Sequence, residues 1–276
     1  MFTFTIIKVI IISMKRKIFK AISMALVVFI LFFLFTTLPE YVVINNEIES
    51  FMERGELVNT DIIKKIKYYE VPRRSGEIDK PCFTSYYGDK YAFAGSYGDT
   101  LVTQESPFFQ NGVDIPVAYE FVSFWFGGHA AIISDEFDED DYPEIIEATA
   151  LSQTPENNAV TKTFNYWLYQ EYRDYFIGLR VKGATKEEYQ SYTNWAKEQL
   201  GTPYNMTFIF NTENTFYCSD LVSKGWGELG YNLNKDAIVT TINDIISSED
   251  TYIFFYKYSD RKTGYQHIYY HQYSEN

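Results

Sequence analysis

Hydrophobic and polar positions divide the chain into an apolar start, a mixed stretch and a long region of alternating pattern. From Ala21 to Leu38 every residue is apolar or hydroxylated. Eighteen helical residues at about 1.5 Å each span roughly 27 Å, close to the hydrocarbon thickness of a bilayer, so this run predicts a transmembrane helix. Between residues 40 and 75 the spacing Ile62, Ile63, Ile66, Tyr69 predicts one or two helices, and residues 76 to 97, rich in Gly, Tyr and Ser, read as turns. From Thr100 the period changes. Strands are expected at Leu101–Thr103, His129–Ser134, Glu144–Ala148, Tyr175–Val181 and Tyr252–Tyr258.

Helices interrupt these strands. Thr185 and Glu188 form a capping-box pattern, Tyr189, Tyr192, Ala196 and Leu200 follow at helical spacing, and Gly201 reads as the C′ residue that stops the helix. A second helix is expected from Cys218 to about Leu229, ahead of Gly230, and a third over Thr241–Ser248. Strands with helices grouped around them predict an α+β fold built on a mainly antiparallel sheet. The expected organisation is a basic stub and signal anchor over residues 1–39, an extension or linker over 40–95, a catalytic domain over 96–260, and a tyrosine-rich tail over 261–276.

Charge adds orientation. Lys15, Arg16, Lys17 and Lys20 precede the apolar run and no acidic residue appears before Glu40, so the positive-inside rule places the amino terminus in the cytoplasm and residues 40–276 outside. Phe35-Thr36-Thr37-Leu38-Pro39 offers no small-x-small cleavage site, which favours an uncleaved single-pass anchor over a secreted product. The first 39 residues carry five basic groups, so the remainder is five units more negative than the −13 of the whole chain. That balance repels nucleic acid and anionic lipid.

The candidate chemistry lies in the second half. Cys218, in Phe216-Tyr217-Cys218-Ser219-Asp220, stands where a helix should begin, and the positive end of the helix dipole favours a thiolate. Of the three histidines, His267 and His271 fall in the tyrosine-rich tail, and His129 follows Gly127-Gly128 at the start of an expected strand. Glu147 lies on the next strand, where a hairpin can set it beside His129. Cysteine, histidine and carboxylate are the parts of an activated thiol: nucleophile, base, and the acceptor that orients the imidazole. Cys82 and Cys218 would pair with each other on counting alone in an oxidising compartment, whereas the motif around Cys218 favours a free thiol. The acidic run Asp135–Asp141 lacks the glycine and terminal glutamate of an EF-hand and reads as a hairpin loop; His267 and His271 lack the zinc-protease glutamate and a third ligand. No metal or cofactor is expected.

Five pieces in order, Gly98–Val102, Gly128–Ile133, Ile146-Glu147-Ala148, Gly201–Tyr204 and Tyr217–Val222, give residues 95 to 260 a resemblance to the circularly permuted NlpC-type, papain-like cysteine hydrolases, the YiiX/YaeF-like group. In this order the cysteine comes last, where ordinary papain-like enzymes place it first. The resemblance implies a papain-like fold in which Cys218 attacks an amide, ester or thioester carbonyl, His129 is general base and then acid, and Glu147 orients His129. It further implies that Tyr204 and Tyr217 contact the substrate or its oxyanion. The implied substrates are peptide, cell-wall or lipid-derived amides and esters of the cell envelope. A lipid acyl transferase would use the same triad, and a non-catalytic envelope-binding module would keep the fold with an unreactive Cys218.

Overall fold

The computed structural model describes residues 15, 17–28, 31, 35, 37–86, 91–104, 128–149, 159–168, 175–205, 214–234 and 239–274. Two compact units divide the chain at Val43/Ile44. In the first, residues 17–28 are helical and Ile22, Met24, Leu26, Val27 and Val28 are exposed. The expected transmembrane helix is not supported: among the described residues no helix is long and apolar enough to cross a membrane. Positions 29, 30, 32–34 and 36 of the stretch Ala21–Leu38 lie outside the described residues.

The second unit is built on a nine-stranded sheet of order β1-β2-β11-β10-β9-β5-β6-β7-β8. Its strands are β1 Glu56–Asp61, β2 Ile66–Val71, β5 Thr100–Thr103, β6 His129–Phe137, β7 Pro143–Ala148, β8 Val160–Phe164, β9 Tyr175–Val181, β10 Thr251–Asp260 and β11 Tyr265–His271. A separate hairpin pairs β3 Phe83–Tyr86 with β4 Tyr91–Ala94. Every pairing in the large sheet is antiparallel except β2 with β11. The helices are α1 Thr37–Glu53, α2 Lys186–Glu198, α3 Cys218–Gly227 and α4 Ile242–Ser247. The architecture is therefore α+β with a mainly antiparallel sheet.

Residues alternate between the two faces of the sheet, so both are apolar and both are covered. One face puts Val102, Ala130, Ile132, Ile146, Ile177 and Leu179 against α2, α3 and α4, where Tyr192 stacks on Trp226 with ring centres 4.4 Å apart. The other puts Leu101, Ala131, Ile133, Ile145 and Phe176 against Trp167, Phe254 and Phe255. The β10–β9 register shifts between Ile253 and Phe255, and this bulge sends both Phe254 and Phe255 into the same cluster.

Several expectations change here. Residues 56–71 form a hairpin and not a helix: Ile62 and Ile63 sit exposed in its turn, so their spacing with Ile66 and Tyr69 marks no buried helical face. The 76–97 stretch contains β3 and β4 as well as turns. Residues 265–271, read from sequence as tail, are β11, an interior strand between β2 and β10. The expected capping box at Thr185/Glu188 is formed, and a second one, not read from the sequence, caps α4 at Thr241/Asp244; α2 ends at Glu198 with Gln199 as its C-cap, and Gly201 (φ +84°) lies in the turn beyond.

A buried carboxylate joins the extension to the sheet. Asp99, at the start of β5, accepts from Arg180 Nε and Nη2 at 2.8 Å each, from Lys80 Nζ at 3.0 Å and from the Ser96 amide at 2.9 Å. Burial opposes its charge, but Arg180 and Lys80 hold its carboxyl below the ordinary value. Burial pushes Lys80 down to about 8 despite Asp99. Two cations thus share one carboxylate in the core, and removing that carboxylate strands both. Asp99→Asn is expected to destabilise the fold by about 3–5 kcal/mol in urea unfolding. Lys80→Met, which leaves the Arg180–Asp99 pair intact, is expected to cost clearly less. It should also abolish a rise in stability between about pH 8 and 10.5, because a buried lysine with a depressed value favours the unfolded chain until it deprotonates.

Candidate active site

His129 is the first residue of β6, and the backbone before it explains the glycine there. Gly128 has φ +70°, and a Cβ built on it would lie 1.6 Å from the carbonyl oxygen of Thr103, the residue paired with His129 across β5–β6. Only a glycine lets the chain turn this tightly into the strand. Glu147 stands on β7, and its Oε2 lies 2.5 Å from His129 Nε2. With Nε2 engaged by the carboxylate, the ring's other nitrogen, Nδ1, is left for the hydrogen bond that His129 makes with Cys218.

Cys218 is the first residue of α3, following the N-cap Tyr217, which makes no side-chain cap hydrogen bond. Its own amide is therefore among the orphan N–H groups at a helix start, available to an incoming oxyanion. Burial works against the thiolate, but the hydrogen bond and charge of His129, with the amides of Ala130 and Ser219, hold the Cys218 thiol below its ordinary value. Burial likewise works against the imidazolium, yet Cys218 and Glu147 raise His129 to about 9. Both shifts favour a thiolate–imidazolium pair at neutral pH.

Two aromatic residues complete the support, and the sequence reading missed both. Tyr166 donates its hydroxyl to Glu147 at 3.0 Å from Oε2 and 3.1 Å from Oε1, which fixes the carboxylate that His129 meets. Trp167, fully buried, stacks on the imidazole with ring centres 5.9 Å apart and planes 15° apart. Their signal was an aromatic pair directly after β8, which does not stand out in a chain with 25 tyrosines.

The remaining expected site residues are placed around α3. Tyr204 bridges Phe216 beside the cysteine, and burial, then the charge of Cys218, raise its phenol above the ordinary value. Tyr217 directs its hydroxyl to the Thr240 amide, accepting at 2.8 Å, while Ser219 Oγ donates to the Thr240 carbonyl at 2.8 Å. These two bonds clamp the loop before α4 onto both residues flanking Cys218. Cys82 and Cys218 are both free thiols. Cys82 lies far along the chain's other cluster, beside Lys80 and Arg180, where burial pushes it up to about 11. The acidic run closes the β6–β7 hairpin, with Lys197 Nζ 2.9 Å from Asp135 and Lys162 Nζ 2.6 Å from Glu136. His267 and His271 sit buried on β11, away from this group, with His267 Nδ1 3.1 Å from the Tyr69 hydroxyl.

The family model described as permuted papain-like amidase enzyme, YaeF/YiiX, C92 family, matches residues 116–261, just over half of the chain. Among solved structures, the metalloprotein YiiX from Escherichia coli O157:H7 is similar at 17% identity with a TM-score of 0.43, over 57% of this chain and 95% of that one. No curated protein matches.

Because the negative charge of Glu147 supports the imidazolium, Glu147→Gln should keep the ring oriented but lower the His129 value by on the order of one unit or more. Titration of histidine ring signals by NMR reads this directly; a value unmoved from about 9 would show that Cys218 alone sets it.

Proposed function

This chain belongs to the family of permuted papain-like amidases, cysteine hydrolases of amide bonds, and from that membership we propose that it is a membrane-anchored extracytoplasmic enzyme acting on peptide or amide bonds of the cell envelope. The observation that carries the catalytic part is the buried Cys218–His129–Glu147 arrangement, with the thiol shifted down and the imidazole shifted up. The anchor rests on the apolar run Ala21–Leu38 behind a basic cluster, and the outward orientation on the positive-inside rule.

The steps follow from the geometry. The Cys218 thiolate attacks the substrate carbonyl carbon, and the developing oxyanion is stabilised by the Cys218 amide at the α3 terminus. The His129 imidazolium gives its proton to the leaving amine as the C–N bond breaks, which leaves a thioester on Cys218 and a neutral imidazole. His129 then takes a proton from water, the hydroxide adds to the thioester, and the acid product leaves as the thiolate is restored. Glu147, held by Tyr166, keeps Nε2 engaged throughout, so that Nδ1 remains aimed at the sulfur. Tyr204, beside Cys218, contacts the acyl portion of the substrate.

Iodoacetamide labelling of Cys218 from pH 5 to 9 tests the thiolate. Labelling should be fast and nearly flat across neutral pH, and His129→Ala should move the profile up to or beyond that of an ordinary thiol, because burial then acts on Cys218 without the imidazolium to offset it. Hydrolysis of peptide and acyl-amide libraries by the full chain should fall by at least about a thousandfold in Cys218→Ala. An ordinary thiol profile in the native protein, or activity that survives Cys218→Ala, overturns the proposal.

A further inference from the structure

The end of the sheet that carries His129 also carries a feature that the hydrolytic chemistry does not use. His129 pairs with Thr103, whose hydroxyl donates to the Tyr175 carbonyl at 2.9 Å; Tyr175 pairs with Tyr258, Tyr258 with His267, and His267 with Lys67. Followed along this row, the β1–β2 and β10–β11 turns project from the same end of the sheet as the active site. They lie side by side, since the Lys65 carbonyl accepts the Gln266 amide at 2.8 Å.

The β1–β2 turn exposes two isoleucines at its tip, Ile62 at 75% and Ile63 at 94%. Both are followed at once by Lys64 and Lys65. Lys67, Arg261 and Lys262 extend the cluster across the neighbouring strand and turn. Among the described residues, the carboxylates on these two turns are Asp61 and Asp260, and both are engaged in holding the turns. Asp61 accepts the Lys64 amide at 2.9 Å; Asp260 accepts the Lys262 amide at 2.8 Å and the Thr263 hydroxyl at 2.7 Å. Among the described residues of these turns and the start of β2, five cations stand beside two carboxylates, on a chain whose net charge is −13.

We infer that these paired turns form a docking surface for an anionic lipid bilayer, with Ile62 and Ile63 entering the acyl boundary and Lys64, Lys65, Lys67, Arg261 and Lys262 at the level of the phosphates. The chemistry favours a bilayer over a protein partner: two exposed isoleucines at a turn sit beside several cations, the combination of apolar insertion and phosphate-level charge that interfacial lipid binding uses. The chain's overall acidity does not oppose it, because charges farther than a Debye length, about 8–10 Å, are largely screened at physiological salt.

The test uses the full chain carrying Ile63→Cys in a Cys218→Ala background, labelled with an environment-sensitive fluorophore. Vesicles are phosphatidylcholine alone or with about 30% phosphatidylglycerol. Vesicle binding by the apolar amino-terminal segment does not confound the readout, because the label reports only where residue 63 sits. The expected result is a severalfold rise in emission with a blue shift on anionic vesicles, quenched by a lipid-embedded quencher and absent for a label at Glu228→Cys. Lys64→Glu with Lys65→Glu should weaken the response at least about tenfold. A label at 63 that stays in water while the chain sediments with anionic vesicles overturns the inference, as does an equal response on neutral vesicles. Either result leaves the hydrolase reading standing, since amidase activity and Cys218 reactivity are measured without lipid.

Discussion

Everything at the candidate site depends on keeping two opposite charges together in a buried place. Desolvation alone would leave Cys218 protonated and His129 neutral, which is an inert pair. Their mutual hydrogen bond reverses both tendencies, and it survives only if the imidazole cannot rotate away. Glu147 fixes one nitrogen, Trp167 covers one ring face, and Tyr166 fixes Glu147 in turn. The site is a chain of constraints in which each member acts on the next, so a residue that never meets the sulfur still decides its protonation.

The sheet makes this possible because His129 and Glu147 come from adjacent antiparallel strands joined by a short hairpin, while Cys218 arrives on a helix packed across the other face. The strands bring the imidazole and the carboxylate together; α3 brings the thiol, with its amide at the helix start. Behind them, Asp99 gathers Arg180 from β9 and Lys80 from the preceding extension. That cluster ties the segment around Lys80, ahead of the β3–β4 hairpin, to the centre of the sheet. It is an electrostatic solution in place of an apolar one, and its cost is a second buried cation.

The local elements were legible where short-range rules govern them. The capping box at Thr185, the strands at His129, Glu144 and Tyr175, and the helix beginning at Cys218 all depend on residues a few positions apart. The β1–β2 hairpin was misread because Ile62, Ile63, Ile66 and Tyr69 imitate a helical face, although two of them are exposed at a turn and face no core. The tail was misread because β11 has no stability in isolation. Its backbone is satisfied by β10 on one side and by β2, two hundred residues earlier, on the other, and no local pattern reveals a parallel partner at that distance.

The sequence by itself determined the chemical inventory: one cysteine at a helix start, one histidine after a glycine pair, one glutamate on the following strand, and a net charge of −13. Those follow from residue type and near-neighbour spacing. Only the tertiary structure decided which nitrogen of His129 meets Glu147, that Tyr166 and Trp167 belong to the site, and that a buried Asp99 serves two cations. It also decided that two basic turns far apart in sequence share one end of the sheet with the thiol. The reason is common to all four: they are through-space relations fixed when strands pair, and strand pairing joins residues that the chain order keeps apart.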